Sequence, residues 1–172
     1  MLRLVHSMKG LPFGALMEVY AQSNRENSEE FWPDLSYGEG LLRAEQEFYQ
    51  YLQQVFFPTR GAVYCLWEVA GRPVAALRLE PYRDGLLLEA LETAPEQRQK
   101  GYAAALIRAV LDAYQDHKIY SHVGKGNTPS LKVHEACGFQ RISEQAVYID
   151  GSVNGKCCTL CFSVDKAADA VV

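Results

Sequence analysis

Two periods alternate along the chain, one of three to four residues and one of two, and their order predicts the elements. Leu2 to His6 alternates weakly and reads as a first strand. Gly10-Leu11-Pro12 opens a helix, since proline suits a first helical turn, and Phe13, Leu16, Met17 and Tyr20 give it one apolar face. Asn24 to Tyr37 is polar with Phe31, Trp32 and Tyr37 inserted, and predicts a loop with at most a helical turn. Gly40 to Phe57 returns to helical spacing. Leu41, Leu42, Phe48, Tyr51, Leu52, Val55 and Phe56 are its expected buried positions, and Pro58 ends it.

Strand signals then take over. Ala62–Val69, Pro73–Leu79 and Leu86–Thr93 are apolar runs separated by the turns Gly71-Arg72 and Arg83-Asp84-Gly85, which predicts three antiparallel strands. A polar turn, Ala94 to Gln97, leads into a helix whose apolar positions are Ala103, Leu106, Ile107, Val110, Leu111 and Tyr114. Lys118–Val123 is a further strand, and Gly124-Lys125-Gly126 a loop. Thr128 is the expected cap of the next helix, with Pro129 in its first turn and Gly138 at its end. Ile142–Ile149 and Cys157–Val164 predict two last strands, and Asp165 to Val172 a loose tail. No repeat or linker interrupts the 172 residues, so 1–172 reads as a single domain, long enough to bury a substantial core.

Composition narrows the classes. A net charge of −4 gives no support for a nucleic-acid partner, which would favour a basic face. No apolar run approaches the length of a membrane span, and the first ten residues lack the apolar centre of a signal peptide, so a cytoplasmic protein with no membrane partner is expected. Five cysteines without a secretion signal argue against a disulfide framework. Cys158-x-x-Cys161 has metal-like spacing, but on a strand its members face opposite sides, and no second pair accompanies it. No metal is expected.

The stretch Leu86 to Leu111 carries the chemistry. A strand feeds a short turn and then a helix, whose first N–H groups lack internal partners and whose dipole is positive at that end. Such an end suits a diphosphate. Gly101 allows close approach of the backbone, Ala103 is the next smallest choice, and Arg98 and Lys100 add positive charge. Taken alone, the turn fits an ordinary strand-to-helix bend equally well.

Arg98-x-x-Gly101-x-Ala103 resembles the Arg/Gln-x-x-Gly-x-Gly/Ala signature of the GNAT acetyltransferases. Asn127-Thr128-Pro129-Ser130 through Gly138-Phe139 resembles that family's Asn-x-x-Ser/Ala helix ending in Gly-Phe. The resemblance covers residues 86–139. It implies an α/β fold with a mixed, mostly antiparallel seven-stranded sheet flanked by helices. That sheet would splay between its fourth and fifth strands, here Leu88–Thr93 and Lys118–Val123. It further implies an N-acetyltransferase that moves an acetyl group from acetyl-coenzyme A, its co-substrate, to a primary amine of a small molecule or peptide.

By the same resemblance Leu91 and Thr93 contact the pantetheine. Arg98, Gln99, Lys100, Gly101, Tyr102 and Ala103 hold the pyrophosphate, and Asn127 and Ser130 also bind the cofactor. Glu89 and Glu92 are candidate bases; three residues apart on a regular strand they face opposite sides, a parity that a bulge would alter, and Glu89 is preferred. Where the family often has a tyrosine acid this chain has His134, which can carry a proton near neutral pH. Phe31, Trp32, Tyr37, Trp67 and Tyr148 are candidate lining for an acceptor pocket. A non-catalytic acyl-coenzyme A sensor is the competing reading. The negative net charge slightly favours a cationic acceptor, and the apolar final strands suit a homodimer contact.

Overall fold

The apolar runs become adjacent strands of one sheet in the computed structural model, which describes residues 1–163. In chain order these are β1 (Leu2–Val5), β2 (Val63–Val69), β3 (Arg72–Tyr82) and β4 (Gly85–Thr93). Next come β5 (Lys118–Gly124), β6 (Gln140–Ser143), β7 (Ala146–Val147), β8 (Val153–Asn154) and β9 (Cys157–Phe162). The helices are α1 (Phe13–Val19), α2 (Ala21–Phe31), α3 (Tyr37–Tyr51), α4 (Tyr102–Ala113) and α5 (Thr128–Ala136). Seven strands lie in the order β1-β2-β3-β4-β5-β9-β6, while β7 and β8 pair separately. Among the described residues only the β4–β5 pair is parallel; β1–β2, β2–β3, β3–β4, β5–β9 and β6–β9 are antiparallel.

Side chains alternate across the sheet, so it carries a core on each face. Leu77, Leu79 and Leu88 pack with Leu106, Ile107 and Val110 of α4 on one face. Leu16 and Val19 of α1 pack with Tyr64, Leu66 and Ala76 on the other, joined by Leu52 and Phe56. Cys158 lies in the first core, whereas Cys161 packs beside Tyr82, Leu87 and Tyr120. The two thiols of the Cys-x-x-Cys sequence therefore diverge, as strand geometry requires.

Four local expectations need correction. The expected loop over 24–37 is mostly the helix α2, which starts directly after Tyr20. Its buried positions are Asn24 and Ser28 rather than large apolar residues, so it shows no stripe. Gly40 of α3 makes room for Ser28, whose hydroxyl oxygen a Cβ at Gly40 would overlap. In the α3 region Leu52 and Phe56 are buried as expected, but Leu42 and Val55 are 56% and 54% exposed. Residues Leu52–Phe56 form a π-helical turn, whose wider winding carries Val55 to solvent. Asn127, not Thr128, caps α5, its Oδ1 accepting from the Ser130 N–H. The run 142–149 breaks into β6 and the short β7, because the Ser143 hydroxyl turns back on Gln145, donating to its carbonyl and accepting from its N–H. Val164 and the expected tail lie outside the described residues.

Candidate active site

β4 organises the site because it loses its neighbour halfway along. It pairs with β5 from Gly85↔Lys118 to Leu88↔Ser121, and no further. Beyond that point Glu89–Thr93 and His122–Gly124 diverge, leaving backbone groups of both strands without ladder partners across the gap. The gap is a cleft of about 170 Å³ lined by Glu89, Ala90, Leu91, His122, Asn127, Ser130 and His134, among others.

A β-bulge sits at the same point. Ala76 pairs with Glu92 and Arg78 with Glu89, so β4 carries one residue more than β3 across this interval. Ala90 takes up the difference with a φ of +50°, a strained value for a residue with a Cβ. The buried Tyr20 hydroxyl donates to the Ala90 carbonyl at 2.6 Å and holds the bulge in place. Burial pushes that phenol upward, so it remains a donor. The extra residue cancels the parity expected for a regular strand: Glu89 and Glu92 lie on the same face, toward α1–α3.

Their surroundings differ. Glu89 lies 3.7 Å from the Arg78 guanidinium. Burial, followed by the hydrogen bond and charge of Glu89, raises the carboxyl of the neighbouring Glu80 to about 7. Burial also raises Glu92, against the pull of a Ser23 hydrogen bond and of Arg98, 3.8 Å away.

Two histidines face the cleft. His134 is 1% exposed, and its Nδ1 lies 2.8 Å from the Ser130 carbonyl. A carbonyl only accepts, so Nδ1 carries the proton and Nε2 keeps its lone pair. That Nε2 is buried without a partner among the described residues. Burial lowers the His134 pKa, with the Ser130 bond opposing, so the neutral ring prevails near pH 7. His122 has Nε2 3.1 Å from the Val147 carbonyl and Nδ1 3.1 Å from the Thr159 hydroxyl.

The turn after β4 ends at a helix start with unpaired backbone donors. Gln99 and Gly101 have φ of +62° and +79°, flanking α4 with left-handed backbone. The first helical bond is from Ala105 N–H to the Gly101 carbonyl, so the N–H groups of 101–104 have no partner within the helix. A Cβ at Gly101 would meet nothing within 4 Å, which leaves open space over these donors. A diphosphate fits such a start.

The basic side chains of the turn make local contacts. Arg98 donates from Nε to the Thr93 carbonyl at 3.2 Å and from Nη1 to Gln22, which ties it to β4 and α2. Lys100 donates to Gln97 at 2.8 Å. Both cations are thus engaged with neighbouring groups, while the N–H groups of 101–104 have no partner within the helix. The structure brings Glu89, Leu91, Asn127, Ser130 and His134 to one cleft. Thr93 and the 98–103 turn continue from its β4 wall.

A second cavity, of about 360 Å³, opens on the α1–α3 face. Tyr20, Ser23, Asn24, Phe31, Trp32, Glu47, Arg78 and Glu92 are among its lining residues. Ala90 lines both cavities, so they meet at the bulge. Phe31 and Trp32 line this cavity. Trp67 instead packs on the α4-side core, and Tyr37 is 62% exposed outside the pocket. Tyr148 stacks edge-on against His122, 5.4 Å between centroids, away from the second cavity.

Sequence reading missed Tyr20, Arg78, Glu80 and His122. Two charges at alternate positions of an otherwise apolar strand, Arg78 and Glu80, were the available signal.

Residues 18–139 match the family described as Acetyltransferase (GNAT) family. No curated protein shows significant sequence similarity to the chain. Among solved structures the chain resembles the PaiA N-acetyltransferase from Thermoplasma acidophilum in complex with coenzyme A, with TM-score 0.63, 12% identity and coverage of 95% of this chain and 99% of that one. It resembles the ribosomal-protein-S18-alanine N-acetyltransferase from Escherichia coli with TM-score 0.61 and 14% identity, over 100% of this chain and 99% of that one. A point variant of the spermidine N-acetyltransferase SpeG from Vibrio cholerae gives TM-score 0.57 and 22% identity, over 95% and 94%. At these identities the structures establish the shared fold. The family match covers more than half the chain and establishes the class: the chain belongs to the GNAT acetyltransferase family. It is an acyltransferase whose acyl donor is acetyl-coenzyme A.

Proposed function

We propose that this cytoplasmic enzyme, acting as one domain, transfers the acetyl group to a primary amine of a small molecule or peptide. The observation that carries the reading is the meeting of two cavities at Ala90, one beside an anion-binding helix start and one lined by carboxylates. Amines are also the acceptors that the structural neighbours' names state or imply: S18 alanine and spermidine.

The α4 start and the free edge of β4 at Leu91 and Thr93 hold the donor. Glu89 takes one proton from the incoming ammonium, freeing the lone pair for attack. The nitrogen bonds to the thioester carbon, an oxyanion forms, and the carbon–sulfur bond then breaks. His134 Nε2, neutral at rest, takes the second proton from that nitrogen and returns it to the leaving sulfur. The sum is one amide, one thiol and one proton released through Glu89. Asn127 acts by fixing the first turn of α5, which carries Ser130 and His134.

Calorimetric titration with acetyl-coenzyme A tests the donor site, using wild type, Gly101→Glu and Gly101→Ala. Alanine shares the backbone strain of glutamate at φ +79° but adds no charge. Binding that survives Gly101→Ala and is abolished by Gly101→Glu is expected. Thiol release with a panel of primary amines tests the acceptor. Release driven by alcohols and not by amines would overturn the amine reading.

A further inference from the structure

Arg78 is a buried cation with unused donors. It lies on β3 in the middle of the sheet, and its side chain is only 15% exposed. Its guanidinium sits over the Tyr51 ring at 4.9 Å and the Phe56 ring at 5.6 Å, which fixes the plane of the fork. Its Nε is fully buried without a hydrogen-bond partner among the described residues. Among the described residues the one carboxylate within 4 Å of it is Glu89, at 3.7 Å, beyond hydrogen-bond reach. Glu89 is shared with Glu80, whose carboxyl is raised to about 7 by burial and by Glu89 itself. An arginine taken out of water normally has its planar donors met by an oxyanion. Arg78 lines the second cavity together with Ala90, the residue where that cavity meets the donor cleft.

Resting on the proposed amine acetylation, we infer that Arg78 is the anchor for a carboxylate on the acceptor, so that the substrate is an α-amino acid or a close amino-carboxylate. Its fork matches a carboxylate with two parallel bonds. One carbon separates that carboxylate from the α-nitrogen, which places the nitrogen beside the bulge where the thioester arrives. Glu47 and Glu92 line the same cavity and suit the ammonium form on entry. Phe31 and Trp32 give the amino-acid side chain an apolar wall. A cavity of mixed sign fits a zwitterion better than it fits the purely cationic acceptor suggested by net charge.

The test compares matched pairs differing only in the carboxylate: phenylalanine with phenethylamine, and leucine with isopentylamine. Each is assayed for thiol release with wild type, Arg78→Lys and Arg78→Gln. Wild type is expected to favour the amino acid in kcat/KM by about a hundredfold, the scale of a desolvated charge pair. Arg78→Gln is expected to erase that preference, and Arg78→Lys to keep part of it. Acetyl-coenzyme A binding, titrated for each variant, identifies one that has lost its fold.

A second arm needs no turnover: calorimetry of N-acetyl-leucine against N-isopentylacetamide with the wild-type coenzyme A complex. Binding confined to the carboxylate supports the anchor even if no amine is acetylated, in which case only the transfer reading falls. Equal rates for both members of each pair, or equal binding of both amides, would overturn the proposal.

Discussion

The residues that set protonation pull in opposite directions. His134 is held below its ordinary value of 6.5 by burial. The unfolded chain therefore binds its proton first as pH falls, and this histidine costs stability from about pH 6.5 downward. Glu80 is raised from 4.5 to about 7, so it contributes stability at low pH that is lost as pH rises through that window. His134→Gln is expected to flatten the fall of Tm below pH 6.5. Glu80→Gln is expected to raise stability at pH 8 by about 1 kcal/mol, allowing for partial solvation of the carboxyl. Thermal unfolding between pH 5 and 8 reads both, and a matching slope in the two variants would refute the assignment. Tyr20→Phe leaves the Ala90 carbonyl without its donor. A loss of about 1 kcal/mol is expected by urea titration, with a larger fall in kcat than in donor binding.

At the scale of elements, α3 is fastened at its start and pressed against α2. Ser36 and Glu39 form a reciprocal cap. Ser36→Ala is expected to cost about 1 kcal/mol in urea unfolding, with little change in donor binding. Gly40→Val would push α3 off Ser28 of α2, and both helices line the proposed acceptor cavity. A roughly tenfold rise in acceptor KM is expected, with the acetyl-coenzyme A affinity unchanged. Equal loss at both sites would mean that α2 and α3 serve stability alone.

The same elements show what could be read in advance. The strands β2 to β5 and α4 announce themselves because their buried faces are mostly apolar at fixed spacing. The turn 98–103 and the Asn127 helix were legible because their residues resemble a family signature, and the family match spans both. α2 was invisible because it packs through Asn24, Ser28 and a facing glycine, contacts with no hydrophobic signature. The bulge at Ala90 left no mark either, since alanine is not a residue that betrays a left-handed turn. That hidden residue decided which face Glu92 occupies. Arg78 escaped because its role depends on Tyr51 and Phe56, far off in sequence.

Over the whole molecule, the sheet is two sets of strands joined by four residue pairs between β4 and β5. A ligand lying in the gap would bridge the sets. Saturating coenzyme A at a hundred times its Kd is expected to stabilise the fold by about 2.7 kcal/mol, read as a rise in Tm. Gly101→Glu is expected to show no such rise, whereas a rise equal to that of wild type would place the donor elsewhere.

The shared wall at Ala90 also has a kinetic meaning. Two chambers that open on either side of one residue allow both reactants to reside together, and neither has to vacate for the other. No cysteine lines either chamber among the described residues, so nothing at the junction suits a thiol-bound acyl carrier. Initial-velocity lines at varied donor and fixed acceptor concentrations should therefore converge rather than run parallel, the signature of a ternary complex in which the acyl group crosses in a single passage.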